Sequence, residues 1–225
     1  MALIALKRQP AEQMAAEALK EAILTGVMKP GERLTETVLA EQFGVSRGTV
    51  RIALHQMSSG GLVVLKPYTG WSVVDFEPLD LWEIYTLRGG LESLAAKLAT
   101  ERLDASGAAR LEKAANELFE AATATDLAEL KRRDFALHRC IVELSQNTRL
   151  ESHYRMVEQQ VRMFISSTYG PHDERVVIEH HRPIVEAILR RKPRLAARLC
   201  ELHCTSEGER VLRLLSDPEK ERANS

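Results

Sequence analysis

Four side chains in the C-terminal part of the sequence are of types that bind metal ions: Asp134, His138, His181 and His203. Asp134 and His138 are four residues apart, so on a helix both would project from one face. A carboxylate combined with imidazoles suits a borderline divalent ion, of which zinc is the first expectation and nickel and manganese are alternatives. An isolated Asp/His pair is also common as an ordinary surface pair, so the other two histidines decide the interpretation.

His181 and His203 are placed symmetrically about a break in the helical pattern at Lys192-Pro193. His181 lies 11 residues before Lys192, and His203 lies 11 residues after it. In an antiparallel helical hairpin that rises about 1.5 Å per residue, both would lie at the same height, about 16 Å from the turn. Each also lies on an apolar stripe, which predicts that both point into the core. The alternative is that each is a buried histidine hydrogen-bonded to a neighbour, and His180 competes with His181 for the position.

A second set of candidate side chains lies on a short predicted helix that begins at Ser46. Arg47 and Arg51 share one face of this helix at i, i+4 spacing, opposite an apolar face. The planar guanidinium of arginine can bind guanine O6 and N7 in a major groove, or a phosphate. The hydroxyls of Ser46 and Thr49 and the free N–H groups at the helix N-terminus suit phosphate oxygens. The alternative is an ordinary solvated charged face.

The elements that would position these arginines are three short helices followed by a hairpin. A tight turn separates the second helix from the third, as a helix-turn-helix requires. Lys66 lies at the hairpin tip, where it would meet the DNA backbone or minor groove unless the tip is a solvated turn. The predicted elements are helices at Ala11–Thr25, from the N-cap Thr35 to Gly44 and from the N-cap Ser46 to about Ser59, and β-prone runs at Leu62–Leu65 and Trp71–Val74.

The remainder of the chain has an amphipathic helical pattern with sparse breakers, after a predicted linker at Asp75–Asp80. Short connections between such helices indicate an antiparallel bundle. The fold class is therefore mainly α, with an N-terminal winged helix-turn-helix at residues 1–75 followed by an all-α antiparallel helical bundle of about six helices at 76–225. The predicted helices cover residues 80–102, 105–122, 125–146, 149–168, 173–191 and 194–215.

Composition excludes several classes of protein. With 31 Lys+Arg against 32 Asp+Glu, the chain of 225 residues has a net charge of −1 and is not a uniformly basic nucleic-acid binder, although a local basic face is compatible. No apolar run approaches the roughly 20 residues of a membrane span, so we expect a cytoplasmic protein with no membrane partner. The odd number of cysteines and the lack of a CxxC pair predict buried free thiols rather than disulfides or a thiolate zinc site. The cysteines are Cys140, Cys200 and Cys204.

Four runs in the N-terminal part form a distinctive set: Gly26-x-x-x-Pro30-Gly31-x-x-Leu34-x-Glu36-x-x-Leu39-Ala40, Phe43-Gly44-Val45-Ser46-Arg47-x-Thr49-Val50-Arg51-x-Ala53-Leu54, Gly61-Leu62-Val63 and Gly70-x-x-Val73. In these runs the N-terminal part resembles the DNA-binding head of GntR-family bacterial transcription regulators. The resemblance implies a homodimer that reads a short palindromic operator in double-stranded DNA. It points to Ser46, Arg47, Thr49 and Arg51 for DNA contact, and to Gly70 as the residue that lets the wing approach the minor groove.

Three groups of residues recur together in the C-terminal part: Arg88-x-x-x-Glu92, Asp134-x-x-x-His138 followed by Asn147, and Glu179-His180-His181 with His203. In these residues the C-terminal part resembles the FCD-type effector domain that follows many such heads. In that family the corresponding Asp and three His bind a metal ion, and a small organic acid completes its coordination. The resemblance therefore implies Asp134, His138, His181 and His203 as ligands.

Two arginines are candidates for the carboxylate of that acid, Arg88 and Arg162. For Arg88 the alternative is a structural ion pair with Glu92, four residues further on. The function that these patterns favour is a ligand-responsive DNA-binding regulator, with repression as the expected action and a small carboxylate metabolite as the effector.

Two other functions remain open. In the first, the metal ion is itself the effector of the regulator. In the second, the bundle is a metal-dependent hydrolase, which requires an open coordination position for water. The hydrolase lacks a candidate general base at a fixed offset from the ligands, so we expect no enzyme activity.

Overall fold

The structure is a computed structural model that describes residues 10–124, 126–168 and 174–216. Helices dominate the described residues, and the strands are confined to the N-terminal part. The N-terminal elements are α1 (Ala11–Leu24), β1 (Arg33–Leu34), α2 (Glu36–Phe43), α3 (Arg47–Ser59), β2 (Val63–Lys66) and β3 (Gly70–Val73). The elements that follow are α4 (Pro78–Arg102), α5 (Ala105–Ala122), α6 (Leu127–Leu144), α7 (Thr148–Thr168), α8 (Glu174–Leu189) and α9 (Pro193–Ser216).

The described residues form two compact units. The first unit contains the residues up to Phe76 together with Gln159–Thr168, and the second contains Glu77–Glu158 and the residues that follow α7. None of the described helices is long and apolar enough to cross a lipid bilayer.

The first unit is a winged helix-turn-helix, as the sequence predicts. Its three strands form an antiparallel sheet in the order β1-β3-β2. The two-residue strand β1, which pairs Arg33 with Ser72 and Leu34 with Trp71, was not predicted. Two residues are too few to show the alternation by which a strand is recognised, and the partner strand lies far along the chain.

Local sequence explains the turn between α2 and α3. Gly44 ends α2 in the left-handed conformation with φ of 65°, which glycine adopts without steric cost. Ser46 then caps α3, because its Oγ accepts a hydrogen bond of 3.1 Å from the backbone N–H of Thr49. Thr35 occupies the N-cap position of α2 as predicted, but its side chain makes no capping hydrogen bond.

The second half of α7 belongs to the first unit, whereas the sequence pattern placed all of α7 in the bundle. Met163 is fully buried in the hydrophobic core of the first unit, and the ring of Phe164 packs edge-on against that of Phe76 at 6.4 Å. A continuous amphipathic helix shows no composition change where its packing partner changes, so the pattern carries no signal of this division.

The second unit is a helical bundle whose helices agree with the predicted ones to within a few residues. Residues 125 and 173, where two of the predicted helices would begin, lie outside the described residues. The helix α4 starts at Pro78, inside the predicted linker, with a reciprocal capping box between Glu77 and Asp80. The three cysteines are buried free thiols, as predicted.

Close packing of α4 against α9 in antiparallel orientation depends on Gly208. A Cβ built on Gly208 would lie 2.7 Å from the Cβ of Tyr85, so no larger residue fits there without movement. Gly89 is near Cys204, but a Cβ at Gly89 would make an ordinary contact of 3.5 Å. The close approach brings the inward face of α9, which carries His203, against the core.

We expect Gly208→Ala to lower the stability of the protein by about 1–3 kcal/mol, because the added methyl group meets the base of the Tyr85 side chain rather than its flexible end. Thermal unfolding followed by circular dichroism measures the effect. The matched control is Gly89→Ala, for which a better helix propensity offsets an ordinary contact and we expect a change of at most about 1 kcal/mol. Equal destabilisation by both substitutions would contradict the packing argument.

Candidate functional site

The exposed face of α3 carries the arginines that the sequence singled out. The side chains of Arg47 and Arg51 are 63% and 57% exposed. The opposite face of α3 is the core of the unit, where Val50 and Leu54 are fully buried. Ser46 and Thr49 lie at the exposed N-terminus of α3, and their hydroxyls are 2.9 Å apart. The arrangement presents two cations and two hydroxyls on a single exposed surface.

Glu36, the first residue of α2, lies against both arginines and was not predicted as a site residue. Arg51 donates two hydrogen bonds to its carboxylate, from Nε at 2.9 Å and from Nη2 at 2.8 Å. The Nη2 of Arg47 is 3.8 Å from the same carboxylate. The guanidinium of Arg51 holds the pKa of Glu36 below its usual value. Two of the five N–H donors of Arg51 are thus bonded to Glu36, and three remain for other acceptors.

The tip of the hairpin between β2 and β3 is exposed, as predicted. Lys66 ends β2 directly opposite Gly70, which begins β3. Gly70 has φ of 87°, and a Cβ there would meet nothing within 4 Å, so its requirement for glycine is conformational. Tyr68 at the turn is fully exposed. Lys66 and Gly70 are therefore available to a ligand outside the unit.

Because Glu36 neutralises part of the α3 face, we expect Glu36→Gln to strengthen non-specific DNA binding and to steepen its salt dependence by about one phosphate contact. Release of Arg51 from its fixed orientation should also reduce the preference for a specific over a scrambled sequence, by about tenfold. Fluorescence anisotropy over a range of salt concentrations measures both. Glu41→Gln, an exposed glutamate of the same helix, is the matched control, and an identical response from it would rule out the role of the ion pair.

In the second unit, three buried histidines from three helices meet, and we call them the histidine cluster: His138 of α6, His181 of α8 and His203 of α9. One ring nitrogen from each lies within 4.8 Å of the others. The Nε2 atoms of His138 and His181 are 3.1 Å apart. Two nitrogen ligands of a tetrahedral zinc ion would be about 3.3 Å apart. The structure thus brings together His181 and His203, the two histidines that are placed symmetrically about Lys192-Pro193.

Asp134 lies beside the histidine cluster on the same face of α6 as His138. Its Oδ1 is 3.0 Å from the Nε2 of His181, and its Oδ2 is 3.9 Å from the Nε2 of His138. Although burial opposes it, His181 and His138 hold the pKa of Asp134 well below its usual range, so Asp134 is a carboxylate. His180 instead faces Glu207, with Nδ1 at 3.7 Å from the glutamate Oε1.

The outer nitrogens of His138 and His181 are hydrogen-bonded to groups that fix the orientations of these two rings. The Nδ1 of His138 is 2.7 Å from Oε2 of Glu92, and the Nδ1 of His181 is 2.7 Å from the backbone carbonyl of Val177. These bonds direct both Nε2 atoms into the cluster, in the manner usual for metal-binding histidines. The sequence predicted an ion pair of Glu92 with Arg88 as one alternative, but it did not predict the contact of Glu92 with His138, which is 46 residues away.

Arg88 lies behind Glu92 and is almost completely buried. Its Nε donates a hydrogen bond of 2.6 Å to Oε1 of Glu92, so the structural ion pair considered as the alternative is present. Its Nη2 is buried and has no hydrogen-bond partner in the part of the chain that the structure describes. Arg162, the other candidate for an acid, lies in the half of α7 that belongs to the first unit.

The chemistry of the donor set fits a divalent cation. Burial and the neighbouring His181 and His138 hold the pKa of His203 well below its usual value, so that its ring is neutral. The Nδ1 of His203 is buried without a hydrogen-bond partner among the described residues. The site therefore offers three imidazoles and one carboxylate: the neutral ring of His203, the Nε2 atoms of His138 and His181, and Asp134. Zinc, nickel and manganese bind such borderline ligands.

Comparison with known proteins assigns two family matches. Residues 11–73 match the family described as bacterial regulatory proteins, gntR family, and residues 83–206 match the FCD domain. These matches are consistent with the winged helix-turn-helix and with the helical bundle that carries the histidine cluster.

Related proteins align over most of the chain. An HTH-type transcriptional regulator of Bacillus subtilis, YdhC, is 30% identical over 88% of this chain and 90% of its own. The Nta operon transcriptional regulator of Aminobacter aminovorans is 27% identical over 83% of this chain and 88% of its own. The solved structure of McbR/YncC from E. coli has a TM-score of 0.76 at 22% identity, covering 93% of this chain and all of that one, which shows the shared fold.

Proposed function

We propose, from the membership of the chain in the gntR family of bacterial regulatory proteins and from its FCD domain, that it is a repressor. The repressor would release its operator when a small organic acid binds. The broader function is a DNA-binding transcriptional regulator and not an enzyme, because the matched families and relatives are regulators. The hydrolase alternative is thereby removed.

In the proposed complex, two copies of the chain place their α3 helices in successive major grooves of a palindromic operator. The observation that carries this proposal is the exposed arginine pair of α3 beside a wing whose tip is exposed. Arg47 and Arg51 would contact bases or phosphates, the hydroxyls of Ser46 and Thr49 would contact phosphates, and Lys66 and Gly70 would meet the minor groove. Half-sites about 34 Å apart follow from one helical turn of DNA.

The histidine cluster with Asp134 would hold a divalent metal ion, with zinc as the first expectation. His138, His181, His203 and Asp134 are the proposed ligands, and Glu92 and Val177 orient the rings. A bound cation would supply a positive centre for the carboxylate of an organic acid. Arg88 would add its buried, unsatisfied Nη2 to the same acid. Acid binding by Arg162 stays a prediction from the sequence alone.

An effector lowers operator affinity only if it binds more tightly to the arrangement of the dimer that does not fit DNA. By linkage, the operator lowers effector affinity by the same factor, which is typically about 5–150-fold. In the alternative function, the metal ion is itself the effector. The same four ligands would bind it, but the metal ion rather than an organic acid would lower operator affinity.

The test is operator binding of the full-length protein, measured by fluorescence anisotropy on the DNA upstream of its own gene. We expect preference for that DNA over a scrambled sequence of equal length, and release by at least one member of a panel of small carboxylates at saturating zinc. A response to zinc alone, with none to any acid, would support the metal-sensing alternative. Equal binding to both DNA sequences would refute the assignment of α3.

A further inference from the structure

The turn at the tip of the β2–β3 hairpin carries an aromatic residue in a conformation that suits glycine. The backbone N–H of Thr69 donates a hydrogen bond of 3.3 Å to the carbonyl oxygen of Lys66, which closes a four-residue turn. Its central residues are Pro67 and Tyr68, and Tyr68 has φ of 64°. A proline followed by a positive φ is typical of a type II turn, in which glycine or asparagine usually takes the second central position. Tyrosine strains this turn, because its Cβ disfavours a left-handed backbone.

The side chain of Tyr68 gains no burial that would offset this strain. It is more exposed than any other large apolar side chain that the structure describes. Two further non-glycine residues with positive φ occur among the described residues, Gln146 and Arg191. Each of them lies two residues after the end of a helix, where a left-handed backbone is common. A strained residue that no packing holds in place indicates a role in contact with another molecule.

The hairpin that carries Tyr68 is tied firmly to α3. The strand β3, which follows the tip, pairs with both β1 and β2 and is the central strand of the sheet. Its Trp71 is buried in the same hydrophobic core as Val50 of α3. The ring of Trp71 also packs edge-on against that of His55 of α3, with the ring centroids 4.9 Å apart. A DNA duplex bound to the exposed face of α3 would therefore meet Tyr68 at a defined place.

The chemistry of an exposed phenol ring suits the flat faces of DNA bases rather than the phosphates. Phosphates are bound by cations and small donors, and Lys66 beside the tip is available for that contact. Aromatic side chains stack on bases of any sequence. Apolar side chains that enter the minor groove between base pairs unstack them and bend the duplex. Pro67 restricts the turn before binding, so the insertion of Tyr68 costs little conformational entropy.

We propose that Tyr68 inserts its ring between two base pairs of the operator from the minor groove and unstacks them. The inference rests on the proposed operator binding and names the DNA feature that the wing tip reads. Pyrimidine–purine steps of the TA and CA/TG types unstack most easily, so each half-site should contain one of these steps where the tip meets the groove. Specificity of this kind depends on DNA deformation and adds to base contacts of Arg47 and Arg51.

Two substitutions of Tyr68 in the full-length protein test the proposal by fluorescence anisotropy and thermal unfolding. Tyr68→Asn removes the ring and introduces a residue that is usual in this turn, so the melting temperature should stay the same or rise. Affinity for the DNA upstream of its own gene should nevertheless fall at least about tenfold. The salt dependence of binding should not change, because tyrosine neutralises no phosphate. Tyr68→Phe keeps the ring and should bind as the wild type does.

Permanganate oxidation, which attacks unstacked thymines, detects the insertion directly. The wild type and Tyr68→Phe should each make thymines in the upstream DNA reactive, whereas Tyr68→Asn should not. Val27→Asn is the matched control, because Val27 is also an exposed apolar residue in a loop of the first unit. We expect Val27→Asn to change neither the affinity nor the pattern of reactive thymines.

The outcomes separate this inference from the proposed function. Wild-type affinity and reactive thymines retained in Tyr68→Asn would overturn the insertion and leave operator binding intact. The insertion is also wrong if the wild-type complex contains no reactive thymine, since the ring then unstacks no base pair. Equal losses of affinity in Tyr68→Phe and Tyr68→Asn would assign the contact to the hydroxyl group instead of the ring. A wild-type protein that binds upstream and scrambled DNA equally would overturn both the inference and the proposed function.

Discussion

Replacement of both Arg47 and Arg51 by alanine is expected to abolish specific operator binding while leaving the fold intact. Each arginine in contact with a base contributes about 1–3 kcal/mol, so the pair is worth at least about 2 kcal/mol, or roughly 30-fold in affinity for each copy of α3. The two side chains are 63% and 57% exposed and contact the protein chiefly through Glu36, so their loss removes little packing. In a dimer both copies of α3 lose these contacts, so the loss of binding free energy doubles.

The measurement is anisotropy titration of the upstream DNA at several salt concentrations. The slope of log affinity against log salt should also decrease, because each phosphate contact contributes about one to it. Arg190→Ala is the matched control, since Arg190 is also an exposed arginine paired with a glutamate, Glu186, but lies in the second unit. Retention of wild-type affinity by the double variant would place the DNA contact elsewhere.

The second large effect is expected at the histidine cluster. His181→Ala removes the nitrogen that lies 3.1 Å from His138 and 3.0 Å from Asp134, and we expect zinc affinity to fall at least about 100-fold. Loss of an orienting partner of a ligand already costs about 10–100-fold, so loss of a ligand costs more. Zinc at 1,000 times the wild-type dissociation constant stabilises the fold by about 4 kcal/mol, whereas the variant would retain about 1.4 kcal/mol at that concentration.

Equilibrium dialysis gives the zinc stoichiometry and affinity, and thermal unfolding with and without zinc gives the stabilisation. His180→Ala is the matched control, because His180 is adjacent in sequence, is half-exposed and faces Glu207 rather than the cluster. If His180→Ala weakened zinc binding more than His181→Ala, the proposed ligand set would be incorrect. Thermal stabilisation by zinc that is unchanged in His181→Ala would lead to the same conclusion.

The parts of the fold and site that could be predicted are those whose cause is local. Ser46 caps α3 through a residue three positions away, and Gly44 ends α2 through its own backbone freedom. The histidine pair follows from a short turn, because equal distances from the break at Lys192-Pro193 place His181 and His203 at the same height. In each case the residues that decide the outcome are close in sequence or related by one turn.

Other features depend on contacts between distant residues, which no pattern along the chain contains. Glu36 and Arg51 are 15 residues apart and meet only because α2 packs on α3. Glu92 and His138 are 46 residues apart and meet only inside the bundle. Neither glutamate is distinguishable in sequence from those that face solvent.

The sequence by itself therefore determined the class of protein, the helices, the turn that presents Arg47 and Arg51, and the side chains that converge as a candidate metal site. The tertiary structure decided which nitrogen of His138 and of His181 faces inward, which carboxylates neutralise the arginines, and that Gln159–Thr168 completes the core of the first unit. The physical reason is range: hydrogen-bonded turns and helix periodicity act over a few residues, whereas ion pairs and packing join groups that only the folded chain brings together.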